Sequence, residues 1–399
     1  MLNSKLKIIV AGMTGLFPVG GVAWDYLQYV IGFSQLGHEV YYYEDTWSWP
    51  YHPVEKQNTA KAEYSVQFIK NYFERYSPEL KDHWHYWHLH ENTYGIEKSK
   101  FDDVVRSADL FLNVSGASFI PENLSRDCIK VFLDTDPGYN QIMLSERLSW
   151  SENIERWCKS VEDHDQHFTY AENILNDECL VPRLKFKWKT TRMPVVMNLW
   201  NNNDNESVNR KDPRDWTTVM TWNAFKGKLV YQGKEYKSKG SEFKKFMSLP
   251  KVCPVSLKVA VGGKNVPLST LKENGWGVVD GPGTTVTPEK YREFIFSSRG
   301  EFSIAKNVYV AMRTGWFSCR SVCYMAAGRP VVVQDTGFSR FIPTGNGVLA
   351  FTTLAEAVEC VKRVETAYAK HSAAAREIAD SFFNTKTVLK DLLRKAGVK

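Results

Sequence analysis

At 399 residues, 43% of them hydrophobic and 24% charged, the chain has the composition of a folded protein with more than one core, which excludes a disordered or fibrous chain. Its net charge of +6 suits an anionic ligand or a polyanion but demands neither. Seven cysteines (128, 158, 179, 253, 319, 323 and 360) form no CxxC pair, which argues against a disulfide framework and for reduced thiols in the cytoplasm.

The opening "MLNSKLKIIVAGMTG" holds an apolar run too short for a signal peptide, and "LKIIVA" (6–11) is expected as a buried parallel strand ending at Gly12. A loop, "GMTGLFPVGG", leads into "VAWDYLQYVIGFSQLG", whose apolar residues recur at helical spacing up to a stop at Gly37. "HEVYYYED" is the second strand. Strand, glycine loop, helix, strand is the opening of a doubly wound sheet. Further strands are expected at 109–116, 130–138 and 165–173. Between 182 and 216 the sequence becomes polar, as an interdomain connection followed by an exposed loop. Strands resume at 217–222, 256–263, 275–281 and 329–335, and residues 354–383 and the last segment read as helix. No run approaches the roughly 20 apolar residues that span a bilayer, so no membrane span is expected.

Two αβα domains around a cleft suit two-substrate transfer, periplasmic-type ligand binding or a dehydrogenase. The short apolar run at the N-terminus disfavours the binder. A dehydrogenase needs G-x-G-x-x-G between strand and helix, and Gly12, Gly15, Gly20 and Gly21 do not match it.

The stretch "YMAAGRPVVVQDTGFSRFIP" (324–343) narrows the choice. Gly328 releases the chain from a helix, Pro330 suits a strand's first residue, and Val331 to Val333 fill a sheet covered on both faces. Asp335, Thr336 and Gly337 then lie beyond the strand's carboxyl end, where ligands of open α/β sheets bind. Upstream, "RTGWFSCRSVCYMAAG" enters a helix near Ser318. Its free backbone donors, with Thr314, Gly315, Ser318 and Arg320, are expected to cradle a diphosphate, or else to form an ordinary capped helix start. Arg313, Lys306 and Lys239 are the cations expected to neutralise a diphosphate leaving group.

The segment "AAGRPVVVQDTGFSRFIPTGNGVLAF", followed by "TTLAEAVECVKRV", resembles the C-terminal half of the GT-B glycosyltransferases. "SKLKIIVAGM" and "LQYVIGFSQLGHEVYYYED" resemble that family's N-terminal opening. The resemblance implies an α/β fold of two doubly wound, Rossmann-like domains facing a cleft: an acceptor-binding domain over 1–195, a nucleotide-sugar-binding domain over 196–375, and a last helix over 376–399 packing back on the first domain. It implies transfer of a sugar from a UDP- or GDP-sugar to an acceptor hydroxyl, with no metal or other cofactor. One departure is plain. Many retaining members carry Glu-x7-Glu through the helix before Ala-x-Gly, and here Gly315 and Cys323 hold those positions. The ribose ligand and the stereochemical course therefore do not carry over.

If the transfer inverts configuration, a base for the acceptor hydroxyl is expected at a strand end, with Asp136 of "FLDTDPGYNQ" first and Asp25 and Glu301 as the other acids. Gly20, Gly21, Asp45 and Trp47 are expected on the acceptor side, as is the aromatic segment "TWSWPYHP" (46–53). "KDHWHYWHLHEN" (81–92) interleaves four histidines with aromatic rings and reads as an amphipathic segment or an acceptor surface, not a metal site. A small molecule or glycan is the first expectation for the acceptor. DNA is the second, drawing on the positive charge, the lysines of 226–245 and the aromatic content.

Overall fold

The computed structural model describes residues 5–146, 152–201, 213–223 and 228–398. The first half builds an eight-stranded sheet from β1 (Lys7–Ala11), β2 (Glu39–Glu44), β3 (Trp84–His88), β4 (Asn92–Gly95), β5 (Leu110–Val114), β6 (Ile129–Asp134), β7 (Gln166–Thr169) and β8 (Trp188–Thr190). Their order is β8-β7-β6-β5-β1-β2-β3-β4, parallel except for the β3–β4 hairpin. The second half builds a parallel six-stranded sheet from β9 (Asp215–Thr221), β10 (Ser256–Gly262), β11 (Gly277–Asp280), β12 (Gly300–Ser303), β13 (Val331–Gln334) and β14 (Val348–Phe351), ordered β11-β10-β9-β12-β13-β14. In each sheet the chain reverses its winding beside the first strand, between β1 and β5 and between β9 and β12. The crevice at the carboxyl ends of such strands is where ligands of these folds bind.

The helices that position the site are α1 (Gly20–Gln35), α2 (Glu152–Glu162), α3 (Lys239–Phe243), α4 (Pro288–Phe296), α5 (Cys319–Ala326), α6 (Leu354–Thr366), α7 (Tyr368–Phe383) and α8 (Thr385–Ala396). Helix α1 is apolar almost all round because it is covered on several sides. Gly32 admits α8, since a Cβ there would lie 2.7 Å from Leu389. At the other end Gly20 and Gly21 meet Thr287 and Tyr291 at the start of α4, and Trp24 donates its indole N–H to the Pro288 carbonyl at 3.1 Å. One apolar cluster accordingly runs from Trp24 and Trp200 to Tyr291, Val322 and Val333, joining the two halves.

Three readings of the sequence change. The histidine-rich segment is a buried strand, β3, paired on both sides by β2 and β4, in which His85 and His88 are buried. Trp188 to Thr190, expected in the interdomain connection, adds the last strand of the first sheet, because the buried Trp188 packs there against His167 and Phe186. The helical stretch 354–383 breaks at Ala367, which adopts φ −139° between α6 and α7. Most of the polar stretch 201–216 and Lys226 lie outside the described residues.

Candidate active site

The carboxyl end of β6 carries a built turn. Asp134 is buried and accepts from Asn140 (2.7 Å), Gln141 (2.7 Å) and Thr169 (2.6 Å), and also from the backbone N–H of Asp136 (3.0 Å). Burial pushes the Asp134 carboxyl up to about 6. The turn it holds presents Asp136, whose carboxylate accepts from Lys306 and from the Tyr309 hydroxyl. Both donors belong to the second half, in the segment following β12. Trp316 stacks near Tyr309, with centroids 4.3 Å apart, and donates to the Thr135 carbonyl at 3.2 Å. The two strand ends thus face each other across the cleft and are clasped by Asp136 and Lys306.

Two further charged groups of the second half stand beside this clasp. Lys239, at the start of α3, is partly buried, and its ammonium makes no hydrogen bond or ion pair with a described residue. Burial is the main cause holding its pKa well below the usual lysine range, with Arg320 and Lys306 adding repulsion and Glu301 and Asp136 opposing it. Arg320 is differently placed. Its guanidinium pairs with Glu301 and donates to the Val219 carbonyl (2.8 Å) and to Ser303 Oγ (2.7 Å), so its charge is spent inside the protein. Glu301 is fully buried and one of its carboxylate oxygens has no partner. Asp25 of α1 reaches the same cluster from the first half, accepting from Cys319 and feeling Arg320, and burial raises its carboxyl to about 7.

The loops expected to cradle a diphosphate are stitched to one another and to the first half. Gly315 donates to the Thr336 carbonyl at 2.8 Å, and Thr336 Oγ1 donates to the Trp316 carbonyl at 2.6 Å. Asn173 donates its backbone N–H to the Thr314 carbonyl at 3.1 Å and its side-chain amide to the Arg313 carbonyl at 2.8 Å. Asp335 accepts from Gly337 N–H (2.9 Å) and Ser339 Oγ (3.0 Å), ordering its own turn. Arg313 pairs with Glu178 at 3.3 Å, and Ser318 is buried before α5 without capping it.

The missing Glu-x7-Glu pair has a physical reason. Gly315 has φ +77°, and a Cβ there would lie 2.7 Å from the backbone nitrogen of Asn173. Cys323 is fully buried in the joint apolar cluster. Neither position houses a carboxylate.

On the first half, the loop after β1 is already filled. Buried Glu44 accepts from the N–H groups of Gly15 (2.7 Å) and Leu16 (2.6 Å) and from Tyr42 (2.7 Å), so the donors a phosphate would use there are taken. Burial raises Glu44 to about 7. No reading of the sequence singled it out, although an acid at the end of a strand beside a glycine loop was the available signal. Gly20 and Gly21 lie in the junction with α4, while Asp45 and Trp47 sit together at the carboxyl end of β2, bound to His90. His83, His85 and His88 each contact a different backbone carbonyl, and no group of metal-ligating side chains converges among the described residues. No described helix is long and apolar enough to cross a membrane.

No family model matches the sequence, and no curated protein matches it. Solved structures do match along the whole chain. An alpha-glucosyltransferase in complex with UDP-glucose and DNA containing an abasic site shares 13% identity at a TM-score of 0.60, covering 99% of this chain and 100% of that one. A glycosyltransferase from Rickettsia africae shares 11% at 0.54, covering 98% of each. The sucrose-phosphate synthase from Thermosynechococcus elongatus shares 12% at 0.50, covering 97% of this chain and 98% of that one. The fold is GT-B. The expected pair of doubly wound sheets is therefore present, wound as the sequence pattern implied.

Proposed function

We propose that the protein transfers a glycosyl group from a UDP- or GDP-sugar to an acceptor hydroxyl, without an essential metal ion. The observation that carries this reading is Lys239: a partly buried lysine at the sheet's carboxyl edge, beside Lys306, whose amine makes no ion pair or hydrogen bond with a described residue. A nucleotide diphosphate would supply that anion. In the transfer, the acceptor oxygen bonds to the anomeric carbon and the bond from that carbon to the diphosphate oxygen breaks. Charge then gathers on the diphosphate, where Lys239 and Lys306 stabilise it. Lys306 leaves Asp136 to do so, and the freed carboxylate takes the acceptor's proton.

For the acceptor we favour a hydroxyl carried on a base of DNA over a free small molecule or glycan. The full-length likeness to a glucosyltransferase solved with DNA supports this, as do the net charge of +6 and the exposed rings of Phe17, Trp47 and Trp49. Incubation with a panel of UDP- and GDP-sugars tests both halves of the proposal. The acceptors to compare are DNA containing 5-hydroxymethylpyrimidines and a set of oligosaccharides, with and without EDTA. Mass spectrometry should find one added sugar on the DNA, unaffected by chelator. No transfer and no donor hydrolysis across the panel would leave a non-catalytic nucleotide binder.

A further inference from the structure

The carboxyl edge of the first sheet carries a stack of side chains that the transfer chemistry above does not use. The Arg156 guanidinium of α2 lies 4.6 Å over the Trp47 ring. Trp47 stacks on His90, with centroids 4.7 Å apart and planes at 6°, and His90 stacks on Trp87 at 4.1 Å and 13°. Buried Asp45 accepts from His90 Nε2 at 2.8 and 2.9 Å, which fixes the imidazole's rotation. Asp45 is itself tied to the loop after β5, its N–H donating to Ser118 Oγ at 3.0 Å.

The backbone is strained to make this stack. Trp47, Leu89 and His90 all adopt left-handed conformations, with φ +44°, +50° and +59°. Such a conformation costs a bulky residue of order 1–3 kcal/mol and persists only where its surroundings enforce it. The strain fixes the Trp47 ring at the surface between His90 and Arg156, 47% exposed. Trp49 is 56% exposed and Phe17 41%, on loops joined by Tyr51 N–H donating to the Leu16 carbonyl at 2.8 Å.

We infer that the exposed rings of Trp49 and Phe17 form a stacking wall for an unpaired nucleobase of the acceptor strand, with Arg156, which covers the outer face of Trp47, taking an adjacent phosphate; this rests on the DNA reading of the acceptor. Aromatic rings accept any base on a π-face, and a guanidinium beside them matches the backbone. Arg156 is exposed and has no ion pair with a described residue, whereas Lys98, 5.8 Å over Trp87, is already held by Asp102 at 3.0 Å. A neutral glycan would also lie on the rings but has no use for that free charge. The wall stands on the loops after β1 and β2, on the same carboxyl edge as Asp136, so a base turned out of its duplex is delivered to the transfer site.

The test is binding of a short single-stranded oligonucleotide bearing one 5-hydroxymethylpyrimidine, followed by tryptophan fluorescence and anisotropy at low salt. Wild type, Trp49→Ala, Trp49→Phe, Phe17→Ala and Arg156→Gln are compared, with UDP binding measured on each sample. Trp49→Ala and Phe17→Ala should each weaken the oligonucleotide roughly 5- to 100-fold. Trp49→Phe should restore most of the loss, and UDP binding should stay unchanged. Arg156→Gln should reduce the salt dependence by about one phosphate's worth. If wild type binds the oligonucleotide and the alanine variants bind it equally well, the stacking wall is refuted while the DNA reading stands. If wild type binds no oligonucleotide but binds an oligosaccharide through these rings, both the nucleobase and the DNA reading are overturned.

Discussion

Asp136, on the turn beyond β6, holds Lys306, beyond β12, across the junction of the two halves. Each is partly exposed, with side-chain accessibilities of 28% and 20%, so the pair can be exchanged for a ligand without unfolding anything. Lys306→Ala should weaken UDP binding about 10- to 100-fold, the worth of a charge-assisted hydrogen bond. Asp136→Asn removes the competitor: calorimetry should show UDP bound as tightly as by wild type or a few-fold tighter, while turnover falls about 10²- to 10⁴-fold for loss of a general base. Undiminished turnover in Asp136→Asn assigns the base elsewhere.

Arg320 answers to a different experiment. With Glu301 fully buried and the guanidinium bonded on three sides, removing one partner leaves the other charged in an apolar place. Arg320→Ala should cost about 3–5 kcal/mol of stability in urea denaturation, and pairing it with Glu301→Gln should recover part of that. A stable Arg320→Ala protein that has lost UDP would instead move this arginine's charge to the donor.

Much of the fold was legible in the sequence because buried parallel strands are continuous β-branched runs, as in "KIIVA" and "VVVQ", and helices end at Gly37 and Gly328. The outlying strands were not, since β3 mixes histidine with aromatic rings and β8 lies in a lysine-rich stretch. Of the candidate site, the residue types could be read but not their pairing. Lys306, Arg320 and Lys239 look alike in a sequence. Only tertiary contacts separate a lysine clasped by Asp136, an arginine paired with Glu301 and a lysine with no partner among the described residues. Gly20 likewise belongs to a loop pattern locally, but its reason lies in α4, far along the chain.

That contact gives a prediction of its own. A Cβ on Gly20 would run into the Thr287 carbonyl, a backbone group that cannot turn aside. Gly20→Ala should destabilise the protein by about 1–3 kcal/mol, read from the urea midpoint. An unchanged midpoint would mean that α1 and α4 do not meet this closely in solution.

The buried carboxyls set the pH dependence. Asp25 and Glu44 titrate near about 7 and Asp134 near about 6, each raised mainly by burial. At these three groups the native state keeps protons that the unfolded chain releases near pH 4, so their contribution to stability falls as pH rises from about 4 to about 7, while His164, lowered by burial to about 4, contributes in the opposite direction up to about pH 6.5. Asp25→Asn should shrink that fall and raise the urea midpoint at pH 8 more than at pH 5. Equal shifts at both pH values would show that Asp25 is ionised throughout.

Calorimetric titration of UDP into wild type and Lys239→Met decides whether Lys239 awaits a nucleotide diphosphate. Methionine approximates the apolar stem of lysine and removes the ammonium with its charge and donors. Wild type should bind and the variant should lose roughly 10-fold or more, while remaining no less stable because a partly buried ammonium without an ion pair to a described residue is gone. Equal affinity for UDP in the two proteins would contradict that role for Lys239.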